Sequence, residues 1–88
     1  MKEKCVLSGF AIAVVDRGFV YVGDIELSDD WCVVKNAKNI RYWGTANGLG
    51  ELAQGGPTEK TKLDIVGTVR IPKRALIHII DTEADKWN

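Results

Sequence analysis

The segment from residue 62 to residue 71 restricts the fold of this chain more than any other. It reads KLDIVGTVRI, and apolar or small residues alternate with mostly polar ones along its whole length. A period of two is typical of a β-strand with one buried face and one wet face. The residues expected on the shared apolar face are Leu63, Ile65, Gly67, Val69 and Ile71.

Five further short runs are rich in apolar, aromatic or β-branched residues, which favour strands. Each run is bounded by residues typical of turns, such as the Asp-Arg-Gly that begins at Asp16 and the Ser-Asp-Asp that begins at Ser28. These signals predict antiparallel strands joined by tight turns. The runs cover residues 7–15, 19–27, 31–35, 40–43 and 76–80.

A helical pattern interrupts the strands once. Leu49, Leu52 and Ala53 have the spacing i, i+3, i+4 that places side chains on one helix face. Thr45 or Asn47 could cap its first backbone N–H groups, and the Gly-Gly-Pro that follows residue 54 would end it after about two turns. Residues 82–85 predict one more short turn, which ends at Trp87.

The order of these elements predicts a mainly β (α+β) fold, with one domain over residues 1–88. We expect a small antiparallel sheet or half-open barrel of about six short strands, with one short helix after strand four. So small a chain has difficulty covering its sheet edges and large aromatic side chains. We therefore expect a homo-oligomer, with Trp31 or Trp87 in the contact.

Composition excludes several classes of function. Twelve basic and twelve acidic residues cancel, and this balance argues against a nucleic-acid or membrane-surface partner, which requires excess positive charge. Cys5, Cys32 and His78 are too few ligands for a structural zinc site, so no metal or cofactor is expected. No serine or cysteine has the surroundings of a nucleophile, and we predict that the protein is not an enzyme. With no apolar span and no signal peptide, we expect a cytoplasmic location.

The stretch NIRYWGTANGLGELAQGGP, which begins at Asn39, carries the candidate site. An arginine can hold a phosphate or carboxylate through two parallel hydrogen bonds, an aromatic ring can stack on a base, and glycines allow a ligand close to the backbone. The structural alternative is that Tyr42 fills the core, that Trp43 packs under the helix, and that the glycines form only a turn. The predicted ligand-binding residues are Arg41, Tyr42, Trp43, Gly44, Thr45, Asn47 and Gly48.

The order of several motifs resembles a group of short phage-encoded proteins that have no assigned activity. The matching residues are 37–43, then Leu49, Leu52, Ala53 and Gly55, and finally 79–84. The resemblance implies a protein made in the cytoplasm of an infected bacterium. Small phage proteins of this size are often accessory factors that blunt host defence, and one class binds and hides nucleotide-derived immune signals such as cyclic dinucleotides or ADP-ribose derivatives.

The sequence and this resemblance together suggest a first hypothesis: an anti-defence phage protein that sequesters a nucleotide-type signal without catalysis. In this hypothesis Tyr42 and Trp43 stack on the base, and Arg41 holds phosphate. The alternative is a protein–protein interaction module that inhibits a host protein through a sheet edge or a Trp31/Trp87 surface. A small nucleic-acid-binding barrel ranks lower because of the zero net charge, and a hydrolase of nucleotide signals ranks last.

Overall fold

The computed structural model describes residues 7–46 and 48–87 and contains one five-stranded antiparallel sheet. The predicted class, a mainly β fold with a small antiparallel sheet and one short helix, is confirmed. The strands are β1 (Leu7–Val15), β2 (Val20–Leu27), β3 (Trp31–Tyr42), β4 (Lys62–Pro72) and β5 (Leu76–Asp81), and α1 (Leu49–Gly55) lies between β3 and β4. Short 3₁₀ turns cover Asp16–Gly18, Lys73–Ala75 and Ala84–Trp87.

The strand count differs from the prediction because the expected third and fourth strands are one. The polar residues between them do not turn the chain. Instead, Asn36 adopts a left-handed backbone conformation with φ of +53°. It lies between Val34 and Ala37, where the register of the pairing between β3 and β4 shifts. An extra residue of this kind bends a strand without ending it. The strand β3 therefore continues to Tyr42 and carries the candidate site at its end.

The sheet does not close into a barrel. Its strand order is β4-β3-β2-β1-β5, so β4 and β5 are the two edges. Only three residues link Pro72 at the end of β4 to Leu76 at the start of β5. Such a link spans at most about 14 Å, and this short reach brings opposite edges of the sheet together at one corner. The sheet therefore wraps around an inner face, as expected of a half-open barrel.

The face assignment predicted for β4 is wrong. The pairing of β3 with β4 shifts register between Ala37 and Lys38, whose partners are Gly67 and Ile65, so Val66 is an extra residue. A single extra residue moves every following side chain to the other face. Consequently Leu63 packs on one face of the sheet, whereas Val69 and Ile71 pack on the other.

Both faces of the sheet carry a core. One cluster, the inner cluster, fills one face with small and β-branched side chains: Ala11, Ala13, Val15, Ile25, Cys32, Val34, Ala37 and Ile71. The outer cluster lies on the other face under α1 and the C-terminal turn: Ile12, Val20, Val22, Ile40, Leu52, Ala53 and Trp87. Burial raises the pKa of the Cys32 thiol, so Cys32 behaves as a small apolar residue of the inner cluster.

The C-terminal turn Ala84–Trp87 is anchored on the outer face. Trp87 is 5% exposed, and its ring lies 6.5 Å from that of Phe10, centroid to centroid. The indole N–H of Trp87 donates a hydrogen bond to Thr82 Oγ1 over 2.9 Å, and the Thr82 hydroxyl donates to the carbonyl oxygen of Ala53 in α1. The expected Trp31/Trp87 surface therefore does not form, because Trp87 is buried. Within the described ranges, no helix is long and apolar enough to cross a membrane.

Candidate functional site

The structure brings five of the seven predicted site residues together. They line an open groove of about 280 Å³ at the end of β3, and they are Arg41, Tyr42, Trp43, Gly44 and Thr45. Gly48 lies one residue before α1, and Asn47 lies outside the described residues. We refer to this feature as the Arg41 groove.

The guanidinium of Arg41 already has a partner. Its Nε and Nη2 donate to the two carboxylate oxygens of Asp64 in β4, over 3.0 and 3.3 Å. This contact holds the pKa of the Asp64 carboxyl below its usual range. Both side chains are well exposed, so the pair contributes little to stability. A phosphate ligand would have to compete with a carboxylate for the same fork of N–H groups.

The two aromatic rings of the Arg41 groove face solvent. Tyr42 is 58% exposed and Trp43 is 41% exposed, whereas Ile40 is buried in the outer cluster. The alternative in which Tyr42 fills the core is therefore wrong. Trp43 leans over Gly48 at the start of α1, where a Cβ would meet its ring at 3.9 Å. Both rings are available to contact a planar group.

The glycine and threonine residues of the motif tie two loops together. Thr61 Oγ1 donates to the carbonyl oxygen of Trp43 over 2.7 Å, and Thr58 Oγ1 donates to that of Gly44 over 2.9 Å. Gly44 has a φ of +70°, and a Cβ there would lie 2.6 Å from the carbonyl carbon of Lys60. Close approach of two backbones therefore explains this glycine without a ligand.

Thr45, one of the two residues expected to cap the helix after the groove, does not cap it, and the other, Asn47, lies outside the described residues. Gly48 occupies the N-cap position of α1 and makes no side-chain cap hydrogen bond. Thr45 instead donates its hydroxyl to the carbonyl oxygen of Gly48 over 2.7 Å. Thr45 thus uses its hydroxyl to donate to a backbone carbonyl group and not to accept from the first N–H groups of α1.

A second and larger groove surrounds Trp31. The sequence did not predict that the residues lining it form one site. Trp31 begins β3 and is paired with Pro72 at the end of β4. The surrounding depression measures about 580 Å³ and is lined by Asp29, Asp30, Trp31, Pro72, Lys73 and Arg74. We call it the Trp31 groove. The Asp-Asp-Trp and Pro-Lys-Arg triplets lie about forty residues apart in sequence, and only the β3–β4 register shows that they meet.

The Trp31 groove has a hydrogen-bonded backbone frame and, within the described residues, charges that form no ion pair. The backbone N–H of Lys73 donates to the carbonyl oxygen of Asp30 over 2.9 Å, and that of Ser28 donates to the carbonyl oxygen of Trp31 over 2.9 Å. Trp31 is 46% exposed. Among the described residues, none of the carboxylates and cations that line the groove forms an ion pair. The frame therefore presents an aromatic ring beside unpaired charges of both signs.

Fold and grooves define a small antiparallel β protein that offers open, aromatic-lined surfaces. Comparisons of the chain with protein-family models, with curated proteins and with solved structures found no match. Function accordingly has to be inferred from the geometry of the grooves themselves.

Proposed function

We propose that this protein is a non-catalytic protein–protein interaction module, and that the Trp31 groove holds an extended segment of its partner. The observation that carries the proposal is a half-exposed tryptophan on a hydrogen-bonded frame, flanked by unpaired charges of both signs. Tryptophan is enriched among the residues that dominate binding energy in protein interfaces. Rigid frames also lower the entropic cost of association.

The charges of the groove give the partner segment a direction. Asp29 and Asp30 lie just before β3, which begins at Trp31. Lys73 and Arg74 lie just after β4, which ends at Pro72. A bound segment would place a basic residue near the two carboxylates and an acidic residue near the two cations. Complementary charges of this kind contribute to specificity and to the rate of association. In line with the resemblance to phage-encoded proteins, the proposed partner is a protein of the infected host.

We expect the parent protein to select peptides with a shared motif from a displayed library of random peptides. Trp31→Ala should weaken binding of the best peptide at least about tenfold, because the central aromatic contact is lost. Tyr42→Ala is the matched control, since Tyr42 is also an exposed aromatic at a strand end, and it should bind as the parent does. Calorimetric titration of each variant with the selected peptide measures the affinities.

Two results would contradict this proposal. The first is a selected peptide that binds Trp31→Ala as tightly as the parent. The second is a pair of findings: the library yields no motif, and light scattering shows that the parent is an oligomer whereas Trp31→Ala is a monomer. That outcome would assign the Trp31 groove to the homo-oligomer contact expected from the sequence.

The second candidate function is sequestration of a nucleotide-type ligand in the Arg41 groove. The favouring observation is that the exposed rings of Tyr42 and Trp43 line one groove together with an arginine. Base stacking on exposed aromatic rings contributes about 1–3 kcal/mol per base. Since the Arg41–Asp64 pair is exposed, a phosphate could displace Asp64 at little cost in stability.

The Asp64 carboxyl provides a reporter for this second candidate. A phosphate ligand that takes Arg41 should raise the pKa of Asp64 towards its usual range, because the arginine that lowers it is withdrawn. NMR titration of the Asp64 side chain, with and without cyclic dinucleotides and ADP-ribose, measures this change. Arg41→Ala should give the raised pKa without ligand, and Arg70→Ala is the control. A ligand that binds without moving the Asp64 pKa would not use this site.

A further inference from the structure

A third cavity lies between the sheet and the C-terminal turn, apart from both grooves. It measures about 280 Å³ and reaches from β1, β2 and β3 to the turn Ala84–Trp87. The rings of Phe10 and Trp87 and the side chain of Val22 form its apolar part, and Asp24, Asn36 and Lys38 form its polar part. An apolar wall with a few convergent polar groups is the usual composition of a small-molecule site.

The backbone irregularity that absorbs Asn36 is held in place by the strand beside it. Gly23 of β2 lies so close to β3 that a Cβ would be 2.8 Å from the carbonyl oxygen of Lys35 and 2.9 Å from Cγ1 of Val34. The ladder of β2 and β3 shifts register at the same point. Extra residues of this kind re-aim side chains and are frequent beside binding sites. Here the irregularity places Asn36 in the cavity wall in a conformation that few residues other than glycine adopt.

The polar groups of the cavity have no partners in the part of the chain that the structure describes. In the ranges 7–46 and 48–87, Asp24, Asn36 and Lys38 form no ion pair and no side-chain hydrogen bond. Together they offer a carboxylate with two acceptor oxygens, an amide and an ammonium group. Their charges cancel, so the site suits a neutral ligand better than a polyanion.

We propose that this cavity binds a guanine-type heteroaromatic ring. Guanine presents two adjacent N–H donors, on N1 and on the exocyclic amine, which match the two oxygens of the Asp24 carboxylate. Its carbonyl oxygen accepts a hydrogen bond from Asn36 or Lys38, and the ring packs against the apolar wall that Phe10 and Trp87 form. A volume of about 280 Å³ is at the small end for ligand sites, which suits a base with its sugar near the opening. This proposal does not depend on the interaction module proposed above.

Guanosine titrated into the ¹⁵N-labelled protein tests the proposal directly. The chain has three tryptophans, so its three indole N–H signals report separately on the three sites. We expect a saturable shift of the Trp87 signal, with the Trp31 and Trp43 signals unchanged. Inosine, which lacks the exocyclic amine, should bind at least about tenfold more weakly, and adenosine should bind more weakly still.

Two variants separate binding from folding. Asn36→Gly suits the left-handed backbone and removes the whole side chain with its amide, and Asp24→Asn keeps the shape of the side chain while removing its charge. Each should keep the parent's spectrum and weaken guanosine binding about tenfold or more. Asp16→Asn, at an exposed carboxylate that lines none of the three sites, is the matched control and should bind as the parent does. The proposal is overturned if guanosine, up to its solubility limit, leaves the Trp87 signal unmoved or moves the Trp43 signal instead. It is also overturned if both variants bind guanosine as tightly as the parent does, or if adenosine binds the parent as tightly as guanosine does.

Discussion

Trp87→Ala is expected to lower the free energy of unfolding by about 3–5 kcal/mol. Trp87 is 5% exposed, packs against Phe10 and closes the outer cluster over the sheet. Its removal also deletes the indole N–H group that donates a hydrogen bond to Thr82 Oγ1. A domain of this size has a total stability of about 5–15 kcal/mol, so the loss should be visible as a large shift of the urea midpoint.

Two variants show whether burial is the cause of the Trp87 effect. Trp31→Ala removes the same side chain from a position that is 46% exposed, and it should cost far less. Trp87→Phe retains most of the apolar contact but loses the hydrogen bond to Thr82, so its cost should be intermediate, about 1–3 kcal/mol. Equal unfolding free energies for Trp87→Ala and Trp31→Ala would show that the C-terminal turn does not close the outer cluster.

Much of the fold could be predicted because several elements have a local pattern. The alternation in β4 and the i, i+3, i+4 spacing in α1 both follow from side-chain geometry within one element. The irregularities could not be predicted in the same way. The extra residue at Val66 leaves the alternation of the sequence intact while it moves Val69 and Ile71 to the opposite face. Similarly, Asn36 is a residue type that is common in turns, but it lies within a strand.

The candidate site was predicted only where its residues are neighbours in sequence. Arg41, Tyr42 and Trp43 line one groove because they follow one another at the end of β3. Their partners depend on the register of β3 with β4, which places Asp64 beside Arg41 and Pro72 beside Trp31. Register is a property of the assembled sheet, since a shift of one residue changes every cross-strand contact. No local pattern in the sequence specifies it here.

The two glycines that flank α1 offer a matched test of how the helix meets the C-terminal turn. Gly48 has φ and ψ of +84° and −159°, and Gly56 has +82° and −179°, a region that is nearly restricted to glycine. Alanine should therefore cost about 1–3 kcal/mol at either position from backbone strain alone. The surroundings differ: a Cβ at Gly48 would meet only the Trp43 ring at 3.9 Å, whereas a Cβ at Gly56 would overlap the carbonyl oxygen of Lys86.

Gly56→Ala is accordingly expected to be more destabilising than Gly48→Ala by about 1–3 kcal/mol, the usual cost of forcing extra volume into a packed site. The obstructing atom belongs to the backbone of the turn that carries Trp87, so the strand-facing contacts of Trp87 should be disturbed as well. Urea unfolding of both variants, each also combined with Trp87→Ala, measures the coupling. Once Trp87 is removed and the turn released, the extra cost at Gly56 should shrink while that at Gly48 stays the same. Equal costs for the two glycines in the parent background would mean that the turn does not rest on the end of α1, and the outer cluster would then need another closure.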